Sequence, residues 1–162
     1  MAINVNQLIE LVIRPALKQM DAYSSAAEQL VIGTAAKESA CGFYLHQMGE
    51  GPACGIWQME PATYQNCWNE YLIDHPVTKR LILSSCGYAF APPADRLITD
   101  MKLAAMMCRV KYLWISHALP AFGDITAQAY YWAKYYNGNP VTGLPARYIE
   151  SYNQYVGGYY AK

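Results

Sequence analysis

Apolar residues recur along most of the chain at three- and four-residue intervals, the period of helices that bury one face. Near the amino end Leu8, Leu11 and Val12 mark such a stripe, and Pro15 is expected to kink or end it. A second helix is predicted to open at Ser24 or Ser25, with Glu28 where a capping box would want it. It runs through Ala27, Leu30, Val31, Thr34 and Ala35 to about Glu38, and Gly42 stops it. From Phe43 to Met59 the helical period vanishes. Gly42, Gly49, Gly51 and Gly55 there punctuate aromatic and polar residues, as in a hairpin or an irregular loop.

Helices resume at Pro61, a first-turn proline ahead of Tyr64, Cys67, Trp68 and Tyr71, and another short one follows Pro76. Pro92-Pro93 opens the longest candidate, with a stripe of Leu97, Met101, Ala104, Ala105, Cys108 and Tyr112. Asp124 or Thr126 caps the next, which carries Ala129, Trp132 and Tyr136 on one face and ends at Gly138. A last helix covers about Pro145 to Tyr155. No repeat, linker or low-complexity tract interrupts this. The pattern implies a mainly α single domain over residues 1–162, with a small β-hairpin or loop insertion after the second helix.

Composition narrows the function classes. Twelve basic and 12 acidic side chains cancel, and the pI is near 6.8. That balance argues against a general nucleic-acid binder, since Lys79-Arg80 and the pair Arg109, Lys111 are too sparse for a basic stripe. With 54% hydrophobic and 15% charged residues the chain is not disordered. No apolar run reaches the roughly 18 residues of a membrane span, and Leu81 to Ala94 contains serines and prolines. Met1 to Val5 lacks a basic segment ahead of an apolar one, so no secretory signal is expected. Cys41, Cys54, Cys67, Cys86 and Cys108 form no Cys-x-x-Cys and read as buried, reduced thiols of a cytosolically made protein. Nine of the 15 tyrosines lie after Ala129, which suits a wet groove or a sticky surface.

Glu38 carries the most chemistry. It lies four residues after Thr34 and seven after Val31, which puts a carboxylate on the apolar face in the last turn of the second helix. Burial and the negative helix end both disfavour its ionised form, as a general acid working near neutral pH requires. The alternative is a side chain that frays into solvent where the helix ends.

Glu38-Ser39, a glycine- and aromatic-rich stretch, and then Gly55-Ile56-Trp57-Gln58-Met59-Glu60-Pro61-Ala62-Thr63 resemble the lysozyme-like lytic transglycosylases. The family has a Glu-Ser at a helix end, a Gly-x-x-Gln-x-x-Pro-x-Thr signature beyond a hairpin, and a Tyr-Asn-Gly-like triplet ending a late helix. Tyr136-Asn137-Gly138 supplies the last of these, and the resemblance covers roughly Ala27 to Tyr155. The wording of the Gln58 segment is most similar to small bacteriophage-encoded members.

The resemblance implies a lysozyme-like fold and cleavage of bacterial peptidoglycan between MurNAc and GlcNAc. Glu38 would be the catalytic acid and base, with Ser39 supporting it beside the substrate. Gln58 would hydrogen-bond the sugar next to the scissile bond, and Tyr136 and Asn137 would line the groove. Core packing is the other reading of Tyr136, and Trp57 is either a sugar-stacking ring or a core anchor. Two features depart from the family: Glu60, read as a helix N-cap, and the Cys41 and Cys54 pair, which hints at a clasp across the hairpin.

One carboxylate suffices for a lytic transglycosylase, because the muramic 6-hydroxyl closes a 1,6-anhydro ring on its own sugar. Glu50, between Gly49 and Gly51, would be the second carboxylate of a hydrolytic lysozyme. A further alternative is a non-catalytic phage virion protein that keeps the fold. His46, His75 and His117 stand apart with no ligand spacing, so no metal and no cofactor is expected. The expected partners are peptidoglycan and phage virion proteins, with no nucleic acid and no stable membrane insertion. Such a product is made in the host cytoplasm and acts on the wall, as a virion component or a released endolysin.

Overall fold

The computed structural model describes residues 3–138 and 144–161; Met1 and Ala2, where the leader reading begins, lie outside them. Its organising element is α3 (Ser25–Ser39). Every residue from Ala27 to Ala36 is buried, so this helix is enclosed on nearly all sides rather than amphipathic. Its neighbours are the amino-terminal helix, α7 (Met101–Leu113) and α9 (Leu144–Tyr155). Ser24 caps α3 by accepting the Ala27 amide at 3.0 Å, as its sequence position predicts. Glu28 does not complete a capping box. Its carboxylate instead pairs with Arg14 at 2.7 and 2.9 Å and accepts from the Tyr160 hydroxyl at 2.9 Å, because burial leaves the charge needing a partner.

The amino-terminal helix runs through α1 (Val5–Gln7), a π-helical turn (Leu8–Ile13) and α2 (Arg14–Gln19) without stopping at Pro15. The widened turn bonds Arg14 N–H to Ile9 O, and the missing amide of Pro15 falls just beyond it. It also shifts the buried face. Leu8, Ile9, Ile13, Ala16 and Leu17 enter the core, whereas Leu11, expected inside, is 69% exposed.

After α3 the chain forms α4 (Pro61–Asn66), a second π-helical turn (Cys67–Tyr71) and α5 (Pro76–Cys86). The long helix expected after Pro92-Pro93 is two helices. Asp100 breaks it between α6 (Arg96–Thr99) and α7, because its carboxylate accepts the Leu103 amide at 2.9 Å and caps the second helix. Asp124 caps α8 (Ile125–Tyr131), which passes into a third π-helical turn (Trp132–Tyr136). Beyond α9, α10 (Gly157–Tyr160) returns Tyr159 and Tyr160 to Arg14 and Glu28.

The structure is a mainly α-helical single domain. The hairpin expected between Phe43 and Met59 reduces, among the described residues, to isolated bridges His46–Cys54 and Cys54–Met59. Gly49, Gly55 and Gln58 have positive φ, which breaks the extended backbone a ladder needs, and the Gln47 side chain accepts the Ala53 amide at 3.2 Å. Cys41 and Cys54 are free buried thiols and do not form the clasp, and burial pushes Cys41 up to about 12. None of the described helices is long and apolar enough to cross a membrane.

Candidate functional site

The carboxyl end of α3 is turned sharply by three successive residues with positive φ: Ala40 at 50°, Cys41 at 55° and Gly42 at 86°. Ser39 holds this turn. Its hydroxyl donates to Ile56 O at 2.6 Å and accepts the Gly42 amide at 2.9 Å, so the helix end is stapled to the 55–59 segment. Trp57 adds a second staple, its indole N–H donating to Val31 O at 2.8 Å. Trp57 is 1% exposed, so it is a core anchor with no ring face for a sugar.

These staples set Gln58 beside α3. Gly55 allows the turn, since its φ is 74° and a Cβ there would collide with Leu97 O. Gln58 itself has φ 45°, a strained value for a residue with a side chain. Its amide Nε2 donates to Gly55 O at 2.8 Å, which locks the side chain over its own turn.

Between the 44–63 segment and the helices lies a cavity of about 490 Å³, within the size range of small-ligand sites. Glu38, Gln58, Tyr136 and Asn137 all line it. Ser39 does not; it is buried behind Glu38 and acts through the staple. Glu50 is exposed on the loop and is not part of the wall, whereas Glu60 is. Glu60 occupies the N-cap position of α4 but makes no capping hydrogen bond, and among the described residues its carboxylate has no salt-bridge partner.

Glu38 is half-buried, and its Oε1 accepts the indole N–H of Trp132 at 2.9 Å. Among the described residues its other oxygen takes no hydrogen bond. Burial raises its pKa above the ordinary carboxylate value, and the Trp132 hydrogen bond, Lys37 and Lys111 pull back against that rise. The same π-helical turn that carries Trp132 ends with Tyr136, whose hydroxyl donates to Trp57 O at 2.8 Å. Tyr136 therefore packs in the core and lines the cavity with its ring, while its hydroxyl is already engaged. The widened turn closes where Asn137 N–H reaches Trp132 O at 3.0 Å, putting Asn137 at the rim.

Sequence reasoning missed Trp132 as the partner of Glu38, and weighed Lys111 only as one of a few scattered charges, not as a residue of the site. Lys111 lines the cavity from α7, donates to Tyr136 O at 2.6 Å and sits 4.0 Å from the Tyr136 ring centroid. The signal was present. Lys111 falls four residues after Met107 and seven after Ala104, both buried, so it is a charge on an apolar face just as Glu38 is. Among the described residues no cluster of His, Cys, Asp or Glu is arranged to hold a metal ion.

No protein-family model matches the chain, and no curated protein or solved structure does either.

Proposed function

We propose that this protein is a peptidoglycan-cleaving lytic transglycosylase in which Glu38 is the acid and base. The observation that carries the proposal is a single one: a half-buried carboxylate with raised pKa shares a ligand-sized cavity with Gln58, Tyr136 and Asn137. Those residues come from the separate sequence segments that resemble the transglycosylase motifs.

In this reading protonated Glu38 delivers its proton to the glycosidic oxygen as the bond from C1 to that oxygen breaks. The muramic 6-hydroxyl then attacks C1, and the Glu38 carboxylate takes the hydroxyl proton, which restores the acid. Trp132 N–H supports the carboxylate between the two transfers. Gln58 Oε1 and the Asn137 side chain supply polar contacts to the sugar. The resemblance to bacteriophage-encoded members extends the proposal to a phage product acting on the host wall.

Glu60 favours a second reading, a hydrolytic lysozyme, because it adds a second carboxylate to the wall of the same cavity. Mass spectrometry of purified peptidoglycan after digestion separates the two. Ends carrying 1,6-anhydromuramic acid are expected; mainly reducing ends would make the enzyme a hydrolase, and no cleavage by the folded protein would remove both readings.

A further inference from the structure

Among the described residues Lys111 is the one cation in the cavity wall, and nothing in the proposed proton transfers uses it. Its ammonium is anchored from one side only. One N–H is directed to Tyr136 O at 2.6 Å, and the Tyr136 ring lies beneath the charge at 4.0 Å. An ammonium carries three donors, so two are left without a protein acceptor among the described residues. The carboxylates of the cavity do not take them: the only salt bridge among the described residues is Arg14–Glu28, far from this wall.

A half-buried cation with unmatched donors carries an uncompensated desolvation cost, and burial accordingly lowers the Lys111 pKa. Such a group gains most from an incoming oxygen that carries negative charge. It is poorly suited to the reacting carbon, because a fixed positive charge opposes the positive charge that develops there. The geometry points to a binding role for Lys111: we propose that it is a specificity residue that receives an acyl or carboxylate oxygen of the substrate. This rests on the glycan-cleaving reading above and names the ligand chemistry of that site. In peptidoglycan the oxygen has two sources, a stem-peptide carboxylate or the carbonyl of an N-acetyl group.

Calorimetric binding distinguishes them. The full chain is used with Glu38→Gln to keep the glycan intact, and the probes are a muropeptide with its stem carboxylates and chitotetraose, which has N-acetyl groups only. Lys111→Met is expected to weaken binding by roughly 10- to 100-fold, the worth of one charge-assisted hydrogen bond, with Lys111→Arg restoring part of it. Loss confined to the muropeptide assigns the stem carboxylate, and loss with both probes assigns the N-acetyl carbonyl. Lys111→Gln keeps a donor for Tyr136 O without the charge, so it replaces Lys111→Met if that protein fails to fold. Unchanged affinity for both probes in a folded charge-less variant overturns this proposal and leaves the enzymatic reading standing. If the parent protein with Lys111 intact binds neither probe, the glycan reading itself falls and this proposal with it.

Discussion

The indole N–H of Trp132 points at Oε1 of Glu38 across 2.9 Å, joining residues 94 positions apart in the chain. This one contact orients the carboxylate, leaves its second oxygen for a ligand, and partly offsets the burial that raises its pKa. Trp132 is itself fixed, with no exposed surface and its ring against Tyr148 at 5.6 Å. A rigid donor on a buried acid is the preorganisation that general acid–base chemistry uses.

Trp132→Phe removes that donor while keeping an aromatic ring. The Glu38 pKa is expected to rise further, so the alkaline limb of the pH–activity profile moves to higher pH. Stability should fall by roughly 1–3 kcal/mol from the lost hydrogen bond and volume. A profile that does not move would show that the contact has no hold on the acid.

Glu38→Gln keeps the size of the side chain and can still accept from Trp132, but it cannot deliver a proton. A positioned acid is worth about 10² to 10⁴ in rate, and here the same group also serves as base. Peptidoglycan clearing should therefore drop by ~10⁴ or more. Near wild-type clearing by the folded variant would end the catalytic assignment.

The same substitution has a signed effect on stability. Burial raises the Glu38 pKa, so the folded protein holds this proton more tightly than the unfolded chain. The stability this adds is complete below the unfolded carboxyl value of about 4.3 and is lost as pH rises through the folded value. Glu38→Gln, free of that loss, should melt above wild type at neutral pH, with the gap closing in acid. Thermal melts across that range check it, and a gap that widens on acidification would contradict the raised pKa.

Tyr136→Phe deletes the hydroxyl that donates to Trp57 O. A buried carbonyl is left unmatched, which costs about 1–3 kcal/mol, and the Gln58 turn loses one of its fastenings. Activity should fall together with stability. If melting is unchanged while activity drops, the hydroxyl acts on substrate instead.

Of the two acids near the site, Glu60 should matter and Glu50 should not. Glu60→Gln alters a cavity wall, whereas Glu50→Gln changes an exposed loop. Clearing rates and the ratio of anhydro to reducing ends are the measurements. An effect of Glu50→Gln exceeding that of Glu60→Gln would mean that the loop folds over the cavity when substrate binds.

By itself the sequence determined what short-range physics governs. Helical periods, the Ser24 and Asp124 caps and the end of α3 near Glu38 and Gly42 were legible because each depends on residues within a turn or two. Glu38 was legible as a charge on an apolar helix face, whereas Gln58, Tyr136 and Asn137 were candidates only through the family resemblance, and the fold gathers all four at one cavity. Tertiary structure decided the rest. Three widened turns rotate helix faces, which exposed Leu11 and aimed Trp132 at Glu38, and such turns carry no strong local signature. Asp100 broke a helix because its cap outweighed the continuous stripe around it. Ser39, Trp57 and Lys111 found their acceptors on Ile56, Val31 and Tyr136, from 17 to 26 residues away. A hydrogen-bond partner at that separation is chosen by how buried groups find matching donors and acceptors once the helices have packed, and no local pattern encodes that choice.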